Sequence, residues 1–204
     1  MSDTPIDVFI DLPSFPGPVQ AGRLWSHFRK GRESASFEYN KEWLANPHRF
    51  ALEPLLPLAD GTFHTNPGQS VFGAIGDSTP DRWGRILMRR AELARARTAN
   101  ESPHTLSELD YLLRVNDEAR QGALRFSQDG GQSFCAPPGS TPIPPLVNLS
   151  RLLHAADHFC RDDENAEDLR LLLAPGSSLG GARPKASVKD KKGNLCIAKF
   201  PQIG

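Results

Sequence analysis

The 204-residue chain has no net charge to spare: 24 lysines and arginines balance 24 aspartates and glutamates. Bulk electrostatics therefore supply no general attraction to polyanions such as nucleic acid, although a local patch still can. No apolar run approaches the roughly 20 residues that a membrane-spanning helix needs. The opening MSDTPIDVF lacks the basic and apolar regions of a secretory signal, so none is expected. Cysteine is scarce. Cys135, Cys160 and Cys196 are odd in number and far apart, which argues against a disulfide framework and for reduced thiols in the cytoplasm. The apolar fraction, 38%, is modest but compatible with a packed core.

Proline (18) and glycine (17) are plentiful, and they divide the chain into many short elements. Residues 6–12, 19–25 and 34–40 read as strands, the first two separated by the turn signal SFPGP. Prolines at 54, 57 and 67 forbid a long helix through the following stretch. Arg85–Arg97 is rich in helix formers, with Ser78 or Thr79 available as cap and Pro80 in the first turn. A second helix is expected in TLSELDYLLRV, with Thr105 and Glu108 as a capping box. GALRF (122–126) reads as a strand, and 127–145, dominated by Gly, Pro and Ser, as a linker. An amphipathic helix follows, with Leu149, Leu152, Leu153, Ala156 and Phe159 on one side. A shorter helix over 165–173 leads into SSLGGARPKASVKDKKGNLCIAKFP. No internal repeat is present.

That last stretch carries the chemistry. Ser177, Ser178, Gly180, Gly181 and Ala182 are small, so backbone amides there can approach phosphate oxygens without obstruction by a Cβ. A P-loop would place lysine directly after the last glycine and open a helix. Here Gly181 is followed by Ala-Arg-Pro-Lys, and what comes next reads as strand, so that scheme fails. Protein kinases use a different one: a glycine-rich turn between strands, then a lysine on a following strand that meets the α and β phosphates. Leu195-Cys196-Ile197-Ala198-Lys199 has that form. The rival interpretation is a surface hairpin with ordinary glycine turns and a solvated Lys199.

Ser178-Leu179-Gly180-Gly181-Ala182-Arg183-Pro184-Lys185, followed by Ala198-Lys199-Phe200-Pro201, resembles the signature region of HipA-family serine/threonine kinases, the toxins of bacterial toxin–antitoxin pairs. Three upstream blocks resemble the family's N-terminal region. They are Ser36-Phe37-x-Tyr39 with Trp43-Leu44; Phe72-Gly73-x-x-x-Asp77-Ser78-x-Pro80-Asp81-x-Trp83-Gly84-Arg85; and Asp110-Tyr111-Leu112-Leu113-x-Val115-x-Asp117 with Arg120-x-Gly122-Ala123-Leu124-Arg125-Phe126.

The resemblance implies that Lys199 contacts ATP and that Ser177, Ser178, Leu179, Gly180, Gly181, Ala182 and Lys185 belong to the loop over its phosphates. It implies Ser178 as an autophosphorylated residue, with Ser177 and Ser187 ranked below it. A phosphoserine carries about −1.5 to −2 charges and would repel ATP from the same amides; a turn-stabilising hydroxyl is the alternative role for Ser178. The implied cofactors are ATP and Mg2+. The implied partners are a HipB-like helix-turn-helix antitoxin, through which any contact with DNA is indirect, and a protein substrate, glutamyl-tRNA synthetase in relatives.

Phosphoryl transfer also needs a catalytic aspartate and an asparagine–aspartate pair for magnesium. No H-R-D or D-F-G run occurs, so no catalytic residue is assigned and the chain is expected to be inactive alone. The expected architecture is α+β. Residues 1–126 form an N-terminal subdomain of small antiparallel sheet and helices, 127–145 a linker, and 146–204 a partial kinase-like N-lobe. A stand-alone module that binds a separate kinase lobe or an antitoxin is the competing expectation.

Other constellations are weaker. His154 and His158 stand four apart on one helix but lack a third ligand, so a polar face is favoured and no metal is assigned. The Asp77–Arg85 block reads first as a structural helix start. Arginines 82, 85, 89, 90, 95 and 97 make one helix basic, which suits a solvated face, a phosphate backbone or an acidic partner.

Overall fold

The computed structural model describes residues 5–135, 143, 148–176 and 183–201. It is a mixed α+β fold, as expected, divided into two compact units. Unit 1 comprises residues 1–78, 107–113 and 121–135; unit 2 comprises 79–106, 114–120 and 136–204.

Unit 1 is built on an antiparallel sheet of order β4-β3-β2-β1-β5. Its strands are β1 (Ile6–Ile10), β2 (Val19–Arg29), β3 (Arg32–Tyr39), β4 (Thr62–His64) and β5 (Leu124–Ser127). Ile6, Val8 and Ile10 point into the core with Leu24, Phe37 and Phe126. The opposite face of β1 is covered too: Asp7 is held by Gln20 (2.6 Å) and Arg23 (2.9 Å), and Phe9 meets Phe134 edge-on at 5.4 Å.

β2 runs to Arg29, well past the expected Trp25, because Lys30 (φ 50°) and Gly31 (φ 75°) form a tight two-residue turn into β3. At Gly22 a Cβ would stand 2.2 Å from the Glu38 carbonyl oxygen, so the close approach of β2 and β3 requires glycine there.

Two short helices, α1 (Lys41–Ala45) and α2 (Gly73–Gly76), were not expected from the sequence. Both are too short to show a 3.6-residue repeat. α1 is set by Asn40, whose side chain accepts from the Glu42 amide, and by fully buried Trp43. Tyr39 donates to the Leu56 carbonyl (2.7 Å) and accepts from the Leu52 amide (3.0 Å), and burial pushes its phenol pKa up. The Ser36–Leu44 block is thus core and cap.

Helix α4 (Glu108–Arg114) begins with a capping box, but two residues later than the sequence suggested. The Ser107 hydroxyl accepts from the Asp110 amide (3.1 Å), and the Asp110 carboxylate accepts from the Ser107 amide (2.8 Å). Glu33 on β3 adds its carboxylate to the amides of Glu108 and Leu109. A carboxylate from another element displaced Thr105 as the determinant, which local spacing cannot reveal.

Unit 2 contains α3 (Arg82–Ala99), a single 3-10 turn (Asp117–Ala119), α5 (Leu149–Cys160), α6 (Ala166–Gly176) and the antiparallel hairpin of β6 (Lys185–Lys189) and β7 (Leu195–Lys199). Asp81 caps α3, so Ser78, Thr79 and Pro80 all precede the cap. Trp83, Leu87, Leu152, Phe159, Leu172, Ala186 and Val188 form the core. Arg90 ties α3 to the α5–α6 corner: its guanidinium stacks 4.0 Å from the Phe159 ring and donates to Glu164 (2.8 Å) and the Phe159 carbonyl (3.1 Å). Among the described residues, no helix is long and apolar enough to cross a membrane.

Candidate functional site

The turn of the β6–β7 hairpin fixes what its strands present. The Asp190 carboxylate accepts from the amides of Lys192 (2.8 Å) and Asn194 (2.9 Å) and from the Asn194 side chain (3.0 Å). Those bonds, led by the Asn194 side chain, lower its pKa. Gly193 supplies the positive φ (83°) that the turn needs. The resulting register pairs Lys185 with Lys199, Ala186 with Ala198, Ser187 with Ile197, Val188 with Cys196 and Lys189 with Leu195.

Directly opposed residues of an antiparallel ladder emerge on one face, about 4.5–5.5 Å apart at Cβ. Ala186, Val188 and Ala198 pack into the core, so Lys185, Ser187, Lys199 and Ile197 share the other face. Lys185 and Lys199 are therefore neighbours. Lys185 is buried (8% exposed) and Lys199 exposed. Two like charges opposed across a ladder destabilise it unless an anion lies between or beside them. Ser187 is also buried there, at 4% exposure.

Both ends of β6 are anchored. Trp83 donates its indole N–H to the Lys185 carbonyl (3.0 Å) while its ring meets Phe159 edge-on at 4.9 Å. The Phe200 amide donates to the Pro184 carbonyl (3.0 Å), and Lys189 pairs with Glu118. Sequence reading placed Trp83 in a structural helix start. It missed that this residue also fixes the backbone of a lysine strand, a link that only the tertiary fold creates.

Of the residues singled out from sequence, Lys185 and Lys199 are brought together. Ser177, Ser178, Leu179, Gly180, Gly181 and Ala182 lie outside the described residues. Helix α6 runs to Gly176, immediately before them. At its other end, Asp168 takes His158 Nδ1 (2.9 Å) and the Asn165 amide (3.1 Å), joining α5 to α6. The bond to Asp168 raises the His158 pKa, with Asp163 and Asp157 adding to the effect. Burial alone would raise that of Asp168, but its bonds to His158 and Asn165 outweigh it and lower the value. The His154 and His158 rings lie 4.3 Å apart at their centroids. Among the described residues, no three His, Cys, Asp or Glu side chains converge to hold a metal.

Unit 1 contributes a separate hollow of about 400 Å3, where two of the sequence blocks meet: Asp77 and Ser78 from one, Gly122, Ala123 and Leu124 from the other. Phe50 and Leu52 supply apolar wall.

A family model described as the HipA N-terminal domain matches residues 17–127. That is more than half of the chain, and the chain belongs to the HipA family, represented here by its N-terminal part. The matched span runs from the turn before β2 to the end of β5; the hairpin with Lys185 and Lys199 lies beyond it. A search of curated proteins found no match.

Proposed function

We propose that this chain provides the phosphate-holding part of the nucleotide site of a HipA-like serine/threonine kinase toxin. The observation that carries the proposal is the direct opposition of Lys185 and Lys199 on one face of the β6–β7 hairpin. Two lysines opposed on one face suit a triphosphate, whose charge would offset the repulsion of like charges across a ladder. Lys199, at the end of β7, is the proposed nucleotide lysine of a partial kinase-like N-lobe, and residues 177–182, outside the described residues, are the proposed source of backbone amides for the phosphates. Bound ATP brings the transferable phosphoryl group. The chain's own part is to position and neutralise it. No catalytic aspartate or magnesium ligand set is assigned to these residues, so the chain alone is expected to bind without transferring. Ser178 is the proposed phosphate acceptor in the complete kinase, a HipB-like antitoxin the proposed partner, and a protein such as glutamyl-tRNA synthetase the proposed class of substrate.

Calorimetric titration of the chain with ATP, alongside Lys199→Ala, tests this. Binding by the parent that weakens at least about tenfold in the variant is expected. Equal binding by both, or none by the parent, rejects it.

The hollow in unit 1 favours a second function, an interaction module that receives an apolar side chain of a kinase lobe or antitoxin. Ala74 also lines that hollow, and Ala74→Trp would fill it. If the module function holds, this variant loses partner binding and retains ATP.

A further inference from the structure

The six arginines on or beside α3 divide into two sets. Arg85 donates to the Pro80 carbonyl (2.9 Å), Arg90 is held by Asp162 and Glu164, and Arg95 by Glu92 and Glu101. Arg82, Arg89 and Arg97 are exposed, and among the described residues none of their side chains has a hydrogen-bond or ion-pair partner.

The second set is not scattered. Steps of seven, four and four residues run from Arg82 to Arg89, Leu93 and Arg97, and steps of this size stay on one face of a helix. The guanidinium-bearing positions are spaced about 10.5 and 12 Å along the axis. Between the last two sits Leu93, 43% exposed. No carboxylate on α3 balances the ridge: Glu92, the helix's one acid, is buried, turned inward and taken by Arg95 and Arg114.

We infer that this ridge docks the acidic face of an amphipathic helix in another protein. An acidic face would match the ridge's positive charge, which is local in a chain with no net charge overall. Arginines around an exposed leucine form the pattern of a protein interface, with an apolar contact flanked by polar ones. A phosphate backbone would leave Leu93 against a solvated, charged surface. The inference rests on α3 alone and stands or falls independently of the nucleotide site.

The probe is a fluorescein-labelled helical peptide of about 20 residues, with glutamates and one leucine at spacings mirroring the ridge, titrated by fluorescence anisotropy against the whole chain. Because Arg82→Glu, Arg89→Glu and Arg97→Glu turn three attractions into repulsions, together they should weaken binding by at least about tenfold. Leu93→Ala should weaken it about threefold. Should the triple reversal disturb folding, as judged by circular dichroism, the three Arg→Gln changes keep helix propensity and should show a smaller loss in the same direction. Absence of binding, or equal binding of a scrambled peptide of the same composition, overturns the inference. A duplex of about 20 base pairs serves as rival probe. Tighter binding to it than to the peptide, lost with the arginines and indifferent to Leu93→Ala, would assign the ridge to phosphates instead.

Discussion

The indole N–H of Trp83 reaches the carbonyl of Lys185, 102 residues further along the chain, at 3.0 Å. The bond is buried, and it sets the backbone of the strand from which one of the two opposed lysines projects. Trp83→Phe keeps most of the ring but leaves that carbonyl without its donor, at a cost of about 1–3 kcal/mol. Trp83→Ala also opens a cavity and should cost about 3–5 kcal/mol. Urea denaturation checks both. With Trp83 positioning Lys185, Trp83→Phe should also weaken ATP binding under conditions where the variant is fully folded; unchanged affinity would leave the tryptophan a purely structural role.

Lys199 offers a test in which stability and binding move in opposite directions. Removing one of two like charges opposed across a ladder relieves repulsion. Lys199→Thr, which retains strand propensity, should therefore leave the melting temperature unchanged or raise it slightly without nucleotide, and should not show the increase on adding ATP that is expected of the parent. A lysine that merely faces solvent would shift neither quantity.

Glu92 is nearly fully buried, with 3% of its side chain exposed. Its pKa is lowered from 4.5 to about 2, chiefly by the bond from Arg95; burial opposes the shift, and the His104 amide and Arg114 reinforce it. A folded value below the unfolded one means that its stabilisation is complete above about pH 4.5 and is lost as pH falls toward 2. Glu92→Gln should cost roughly 1–3 kcal/mol at neutral pH. Its stability profile should also be flatter through the acid range than the parent's. Parallel profiles would show that this carboxylate does not govern acid unfolding.

The His158–Asp168 bond gives the opposite sign. The pKa of His158 lies above its ordinary 6.5, first because of Asp168 and then because of Asp163 and Asp157. Its contribution to joining α5 and α6 is present below about 6.5 and fades as pH rises through the folded value. An NMR titration should place the His158 midpoint above 6.5 in the parent and closer to it in Asp168→Asn. A midpoint indifferent to that substitution would refute the pairing in solution.

Much of the architecture was legible in the sequence because it is written locally. The alternation in β1, the glycine and proline punctuation, the apolar face of α5 and the lysine–glycine–asparagine turn of the last hairpin each declare themselves within a few residues. What escaped depends on distant partners. The start of α4 is set by Ser107, Asp110 and Glu33, not by Thr105, and α1 is held by a tryptophan whose burial requires the whole sheet. The opposition of Lys185 and Lys199 follows from hairpin register, which the Asp190 turn imposes and spacing alone left open. The arginines of α3 looked uniform until their carboxylate partners, on other turns and helices, separated the paired from the exposed.

The long span between Trp83 and Lys185 has a consequence for biogenesis. At about 5–20 residues per second, a ribosome takes roughly 5–20 s to synthesise the 102 residues between them. All strands of the first unit's sheet are complete by Ser127, so that unit can consolidate on the ribosome. The apolar side of α3 must meanwhile wait for α5, α6 and β6 to be translated. During that interval the nascent chain carries uncovered indole and leucine surface, the kind that holdase chaperones bind.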